Sequence, residues 1–330
     1  MIKKSFKAGV TLLAAVLLMS TLLTGCFDST SKPVVKIVMA SYFGSWLCTQ
    51  GISSGYNTSD NVDIVIDYSL SFDDQMMAGN YSIGAMNTAA FAIAGEKSLH
   101  KLKALGVYLA HTGVDTTNGV AIVYVNKGSS LQSPEDLIGK KVGVPGLNSG
   151  TASTFLGLMK TQYGIDESQF ILVDGSPPQL LEFLRRGDID ATLVLGDPSV
   201  QAYVNGDFDI LFNVDKTFES QYGTYNPASF LTVRADYLED NPELVKEIFD
   251  LLKESCQYGE AHLEELAQAY VNEFGGSVDF YINAYSKHYS VTFDSIEGEL
   301  EDSVMAIFGF VKDRGIISSI PQPDELFVSW

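Results

Sequence analysis

Basic side chains are scarce in this chain. Its 330 residues hold 21 Lys and Arg against 41 Asp and Glu, a formal charge of −20. A surface that acidic repels phosphate backbones, so nucleic acid is not an expected partner. It also argues against polybasic adhesion to a membrane. Cysteine is rarer still: Cys26, Cys48 and Cys256 are the whole set, with no Cys-x-x-Cys and no Cys/His cluster. A structural zinc site is therefore not expected. The four histidines (His100, His111, His262, His288) are scattered, without a His-x-x-x-His pair. There is no Gly-x-Ser-x-Gly elbow. Gly146 to Thr151 lacks the Gly-Lys-Ser/Thr ending of a phosphate loop. Catalytic residues, metals and cofactors thus have no motif behind them, and none is expected. Long apolar runs are missing too: beyond the first 25 residues none approaches the ~20 residues that a bilayer core takes.

What is present begins at the N-terminus. Met1-Ile2-Lys3-Lys4 is followed by an apolar stretch from Ala8 to Leu23 and then by Thr24-Gly25-Cys26. A basic start, a short apolar core and small residues before a cleavage point make a secretion signal, expected over residues 1–25. The order Leu-Thr-Gly-Cys resembles the lipobox of bacterial lipoproteins. That resemblance implies cleavage before Cys26, diacylglycerol on its thiol, and a protein held to the membrane from outside the cytoplasm. An uncleaved transmembrane helix is the alternative, and the apolar run is short for it. The signal carries Lys3, Lys4 and Lys7 and no acid, so the mature charge is −20 − 3 = −23. Residues 26–33, with Asp28-Ser29-Thr30-Ser31-Lys32-Pro33, read as a polar tether. Cys48 and Cys256 are either a disulfide or two buried thiols, the thiols being the commoner outcome.

From Val34 apolar β-branched runs alternate with small polar turns and helical periodicity. Strands are predicted at Val34–Ala40, Asp63–Tyr68, Tyr81–Met86, Leu102–Ala110, Gly119–Asn126, Lys141–Pro145, Phe170–Asp174, Ala191–Leu195, Phe208–Asn213 and Phe230–Arg234. Several are continuous apolar runs, as in strands buried on both faces. Strand–helix alternation implies an α/β protein with mostly parallel sheets flanked by helices. Ten strands are many for one open sheet, so two sheets are expected. Beyond Pro242 the chain reads as mostly helical: Asn241–Tyr258, Ala261–Phe274 and Glu297–Arg314.

Ligands of open α/β sheets sit beyond the carboxyl ends of strands. Five such loops share one chemistry: Ser41 to Trp46, Asn87 to Ala90, Gly146 to Ser153, Gly175 to Pro178, and Gly196 to Ser199. They carry hydroxyls, amides and glycine ahead of helices, where free N–H groups point outward. Ser, Thr and Asn there also serve as caps needing no ligand; five such loops together favour a binding cleft. None contains Lys or Arg. Tyr42, Phe43 and Trp46 are either an aromatic wall for a planar ligand or core.

Asp136-Leu137-Ile138-Gly139-Lys140-Lys141-Val142-Gly143-Val144-Pro145 resembles the "D-L-x-G-K-K-V-G-V" entry to the second lobe of periplasmic binding proteins. The group is the one serving ABC importers of nitrate, sulfonate, taurine and thiamine-pyrimidine precursors. Gly187-Asp188-Ile189-Asp190-Ala191 is similar to that family's "G-x-I-D-A". Gly196-Asp197-Pro198 stands where the family often has "W-E-P", here without the tryptophan. Arg234-Ala235-Asp236-Tyr237 and Asn241-Pro242-Glu243-Leu244-Val245 resemble its return strand and "N-P-E-L-V" helix.

The resemblance implies the type II periplasmic-binding fold, two α/β lobes joined by crossing segments near Thr117–Gly119 and Ser229–Leu231. Lobe one would be residues 34–118 and 231–330, lobe two residues 119–230. It implies a monomer that closes on one small molecule, a sulfonate-, nitrate- or taurine-type anion or a planar heterocycle, and presents it to ABC permease subunits without catalysis. By family position Ser41, Tyr42, Trp46, Asn87 and Thr88 would face the cleft from lobe one. Asn148, Ser149, Gly150, Thr151, Ser176 and Asp197 would face it from lobe two, with Thr117 and Asn118 at the hinge. Two rivals share the fold: a thiamine-pyrimidine-synthesis enzyme, whose Cys-rich motif is absent here, and a sensory receptor domain.

Replacing Cys26 by Ser is expected to move the protein from the membrane pellet to the soluble extracytoplasmic fraction. A Cys26→Ser protein that stays in the pellet would remove the lipobox reading.

Overall fold

The apolar run at the head of the mature chain makes the first strand. Ile37 to Ala40 are fully buried in β1 (Val34–Ala40). β2 (Asp63–Ser69), β3 (Ile83–Asn87) and β4 (Leu102–His111) follow, separated by α1 (Phe43–Ser53), α2 (Phe72–Met77) and α3 (Thr88–Lys97). Next come β5 (Ile122–Val125), β6 (Lys141–Val144), α4 (Gly150–Tyr163), β7 (Ile171–Asp174), α5 (Pro177–Arg186), β8 (Ala191–Val194), α6 (Asp197–Asn205), β9 (Asp209–Asn213) and α7 (Val214–Tyr222). The chain ends with β10 (Asn226–Arg234), α8 (Ala235–Asp240), α9 (Pro242–Ala261), α10 (Leu263–Phe274), α11 (Val278–Lys287), β11 (Tyr289–Asp294), α12 (Glu299–Asp313) and α13 (Pro323–Leu326). This is a computed structural model, and it describes residues 32–111 and 120–330.

Two sheets form. One has six strands in the order β11-β4-β10-β3-β1-β2, the other five in the order β7-β6-β8-β5-β9. β1 is parallel to β2 and β3, and β6 is parallel to β7 and β8. The remaining pairs are antiparallel: β10 with β3 and β4, β11 with β4, and β5 with β8 and β9. The sheets are therefore mixed rather than mostly parallel. A strand buried on both faces reads as an unbroken apolar run whichever way its neighbours point, so direction is not written in the run.

Two further departures follow from local sequence. The mostly helical tail also holds a strand: Tyr289, Val291 and Phe293 alternate with half-buried neighbours in β11, which edges the six-stranded sheet. Ser229–Leu231, expected as the second crossing, lies inside β10, where Ser229 pairs with Asn87 and Leu231 with Ala85. The chain has already joined the six-stranded sheet at Asn226. The first crossing, expected at Thr117–Gly119, and Cys26 lie outside the described residues.

Each sheet has its own core. Phe91, Tyr108, Phe230 and Phe308 are buried around the first, Phe155, Met159, Phe212 and Phe218 around the second. Helix α12 belongs to both. Val304, Phe308 and Val311 enter the first core, Ile307 and Phe310 the second. Just past its end, Arg314 donates to both carboxylate oxygens of Glu167 (2.8 and 2.9 Å) and to Ser153 Oγ (3.0 Å).

Helices α1 and α9 pack at small residues. A Cβ on Gly259 would stand 2.3 Å from the Leu47 carbonyl oxygen, and the Ile52 N–H donates to Ser255 Oγ (3.2 Å). Cys48 and Cys256 lie on these two helices as buried free thiols. Burial, with the Cys48 thiol adding to it, pushes the Cys256 thiol well up.

Gly259→Ala is expected to cost about 2 kcal/mol, because backbone cannot yield to the new methyl. Gly309→Ala, in α12 with open space around it, is expected to gain roughly 0.5–1 kcal/mol by helix propensity. Urea unfolding of both variants checks this, and equal midpoints would contradict the close helix contact.

Candidate functional site

Helix starts converge between the two sheets. The six-stranded side sends in α3, whose first turn follows directly from β3 at Asn87. The five-stranded side sends in α4 and α6, each directly after a strand and a short turn. Ser149 caps α4, its Oγ accepting from the Ala152 N–H (3.1 Å) and donating to the Pro145 carbonyl (2.6 Å). α6 starts at Asp197 with Pro198 in its first turn, after Gly196 at φ +74° and ψ −163°. That conformation is open to glycine alone among ordinary residues, which accounts for a glycine where the resembling family often has tryptophan.

These helix starts enclose a cavity of about 580 Å³. Its floor on one side is Asn87 to Ala90 with Asn226 to Ser229 of β10; on the other it is Asn148 to Thr151 with Leu195 to Pro198. Tyr42, Tyr285 and Tyr289 form an aromatic wall, and Ile307 of α12 closes an edge. The Tyr285 and Tyr289 rings stack, centroids 4.8 Å apart at 19°. The two sides touch: a Cβ on Gly150 would stand 2.4 Å from Ala89 Cβ.

Of the residues expected at a cleft, Tyr42, Asn87, Thr88, Asn148, Ser149, Gly150, Thr151 and Asp197 line this cavity. Three do not. Ser41 is exposed at the end of β1, its N–H bonded to the Ser69 carbonyl. Trp46 is one turn into α1 and packs against Phe43 and Tyr270, in a separate aromatic cluster. Ser176 is exposed and bonds Gln179 as a helix cap. Thr117 and Asn118 fall outside the described residues.

Residues not expected also line it, among them Asp73, His111, Asn226, Tyr285 and Tyr289. Asp73 opens α2, just beyond the carboxyl end of β2, so the strand-end rule applied to that loop would have found it. Nothing in the local sequence marks Tyr285 and Tyr289, because the tail that carries them reads as helical.

The charges are few and unusual. Asp73 accepts from the Asn87 N–H and from Asn87 Nδ2 (both 2.8 Å). Burial raises its carboxyl to about 6, against those two bonds. Asp197 has no hydrogen-bond or ion-pair partner among the described residues, and burial alone raises it to about 6. His111 Nδ1 is 3.2 Å from Asp215 Oδ1. Burial opposes the charge on Asp215, yet His111 and three donated hydrogen bonds hold its carboxyl below the usual range. No nucleophile–base pair is assembled here, and no group of three metal-ligating side chains occurs among the described residues.

A carboxyl raised in the folded state holds its proton while the unfolded chain loses it. Stability therefore falls as pH rises from about 4 through about 6. Two units correspond to at most about 3 kcal/mol for Asp197. Asp197→Asn is thus expected to raise Tm by roughly 5 °C at pH 7.5 and hardly at pH 4. Equal Tm changes at both pH values would mean that the carboxylate is well solvated.

Residues 78–265 match the family described as NMT1/THI5 like. The taurine-binding periplasmic protein of Escherichia coli (strain K12) is 27% identical over 173 residues, 52% of this chain and 48% of that protein. The chain thus spans about half the length of the curated relative it matches. Among solved structures, the periplasmic aliphatic sulphonate binding protein SsuA from Escherichia coli has a TM-score of 0.71 at 13% identity, covering 89% of this chain and 97% of that one. The alkanesulfonate-binding protein SsuA from Xanthomonas axonopodis pv. citri, bound to MOPS, has a TM-score of 0.65 at 13% identity, covering 89% and 96%. The shared fold is that of the periplasmic binding proteins.

Proposed function

This chain belongs to the NMT1/THI5-like family, and we propose that it is an extracytoplasmic solute receptor which captures one small molecule between its two α/β layers and passes it unchanged to an ABC permease. The observation that carries this reading is the cavity of about 580 Å³ enclosed by helix starts from both sheets. Its lining is apolar and aromatic surface with a few hydroxyls, amides and carboxylates, the make-up of a binding pocket. The names of its relatives support the same role, since they are binding proteins for taurine and sulfonates.

The physics of capture is a population shift. The layers separate and approach about the connections near His111–Val120 and Asn226, and the solute stabilises the approached form by contacting both sides. Asn148 and Thr151 supply an amide and a hydroxyl from one layer; from the other, the Thr88 and Ser229 hydroxyls, whose protons go to the Pro227 carbonyl and Asn87 Oδ1, supply acceptor oxygens. The enclosed solute needs no bond broken, so the protein is not an enzyme in this reading. The lipid on Cys26 and the tether to Pro33 keep a monomeric receptor near its permease.

A bound solute at a hundred times its Kd stabilises by about 2.7 kcal/mol, a Tm rise of roughly 5 °C. A screen of amines, sulfonates, taurine and pyrimidines is expected to give at least one such rise, with the compound recovered intact. Thr151→Trp, which fills the cavity from the α4 start, is expected to abolish it. Undiminished binding by Thr151→Trp would take the cavity out of the account, and chemical conversion of the compound would replace capture with catalysis.

A further inference from the structure

We propose that the solute is an organic cation: a protonated or quaternary amine on a small apolar or aromatic frame, its charge against Asp197 and its body against the tyrosine wall. This rests on the capture reading and names the ligand for that same cavity.

The charge balance of the lining comes first. Among the described residues, no Lys or Arg lines the cavity, whereas Asp73 and Asp197 do. The His111 Nδ1 in the lining is already engaged, 3.2 Å from Asp215 Oδ1. An anion would enter a poorly solvated space already holding two carboxylates.

Helix starts attract anions, and those of α1, α2, α3, α4 and α6 border the cavity, so they must be weighed against this. Three are already served by an acid. Asp73 stands in the first turn of α2 and takes the N–H of Asn87, the residue capping α3, and Asp197 is itself the first residue of α6. The starts of α1, whose N-cap Tyr42 lines the cavity, and of α4 have no carboxylate in their first turns, and that of α4 is partly spent on Ser149. The sum over the cavity remains negative.

Asp197 is the distinguishing group. Asp73 spends both oxygens on Asn87; Asp197 spends neither on any described residue. A largely buried carboxylate without a partner is costly unless a ligand supplies one. Its surroundings favour a particular kind of partner. The Tyr289 hydroxyl lies 3.9 Å from where a Cβ on the adjacent Gly196 would stand, so the aromatic wall abuts this turn. Tyr42 and the stacked pair Tyr285–Tyr289 share the cavity with it. A carboxylate with a tyrosine hydroxyl beside it offers an ammonium opposite charge and a second acceptor oxygen, while the tyrosine rings give its apolar frame a surface.

Calorimetric titration of the full chain in detergent with matched probes tests this: 2-phenylethylammonium, choline, the neutral 2-phenylethanol, and 2-phenylethanesulfonate. At least one cation is expected to bind tenfold or more tightly than the alcohol and the sulfonate. Asp197→Asn is expected to erase that tenfold preference, and Asp197→Glu to keep part of it. A sulfonate preferred over both cations, or a cation affinity untouched by Asp197→Asn, would overturn the charge assignment while leaving capture standing. Binding of no compound, here or in the wider solute screen, would overturn capture and this inference together.

Discussion

A single buried carboxylate ties together the places where the chain leaves one sheet for the other. Asp215 accepts from the backbone N–H groups of Val120 and Ala121 (2.7 and 2.8 Å) and from Asn226 Nδ2 (2.8 Å), and it stands 3.2 Å from His111 Nδ1. His111 ends β4, Val120 and Ala121 lead into β5, and Asn226 begins β10. A buried charge with all its neighbours donating is stable; the same charge with one removed is not. The knot therefore fixes how both connections enter the sheets beside the cavity.

From that anchor the site follows by geometry. Strands β3, β6 and β8 point their carboxyl ends toward the gap, and each hands over to a helix whose first turn lies there. The lining is thus made of residues that loop chemistry selects for other reasons: caps, prolines at helix starts, and a glycine at Gly196 that no side chain can replace cheaply. Helix α12 adds a second link, with Ile307 and Phe310 in one core and Phe308 in the other. Motion of the layers must either carry this helix with one side or slide it against α4.

Much of this was legible in the sequence, and for stated reasons. Apolar, β-branched runs marked ten strands within a few residues of their observed bounds, most strongly where, as in β1, β4 and β8, both faces are buried. Cap and turn residues after those strands marked Asn87, Thr88, Asn148 to Thr151 and Asp197. Strand direction was not legible, because the run of Phe230–Arg234 looks the same in either orientation. β11 was hidden by the helices around it. Tyr285 and Tyr289 reach the cavity through long-range packing of a tail that carries no local mark, and Trp46 turns away because Phe43 and Tyr270 offer it an aromatic partner. Ser41 and Ser176 satisfied the loop rule yet remain at the surface, where capping and turn bonds explain them fully.

The central claim is that one solute is gripped from both sheets at once. Hydrogen exchange on the full chain, with and without the tightest-binding solute of a screen, reads this directly. The account predicts slower exchange together at residues 87–90 and 226–229 on one side and at residues 148–151 and 195–198 on the other. Protection confined to one side, or spread over surfaces away from these four segments, would contradict it.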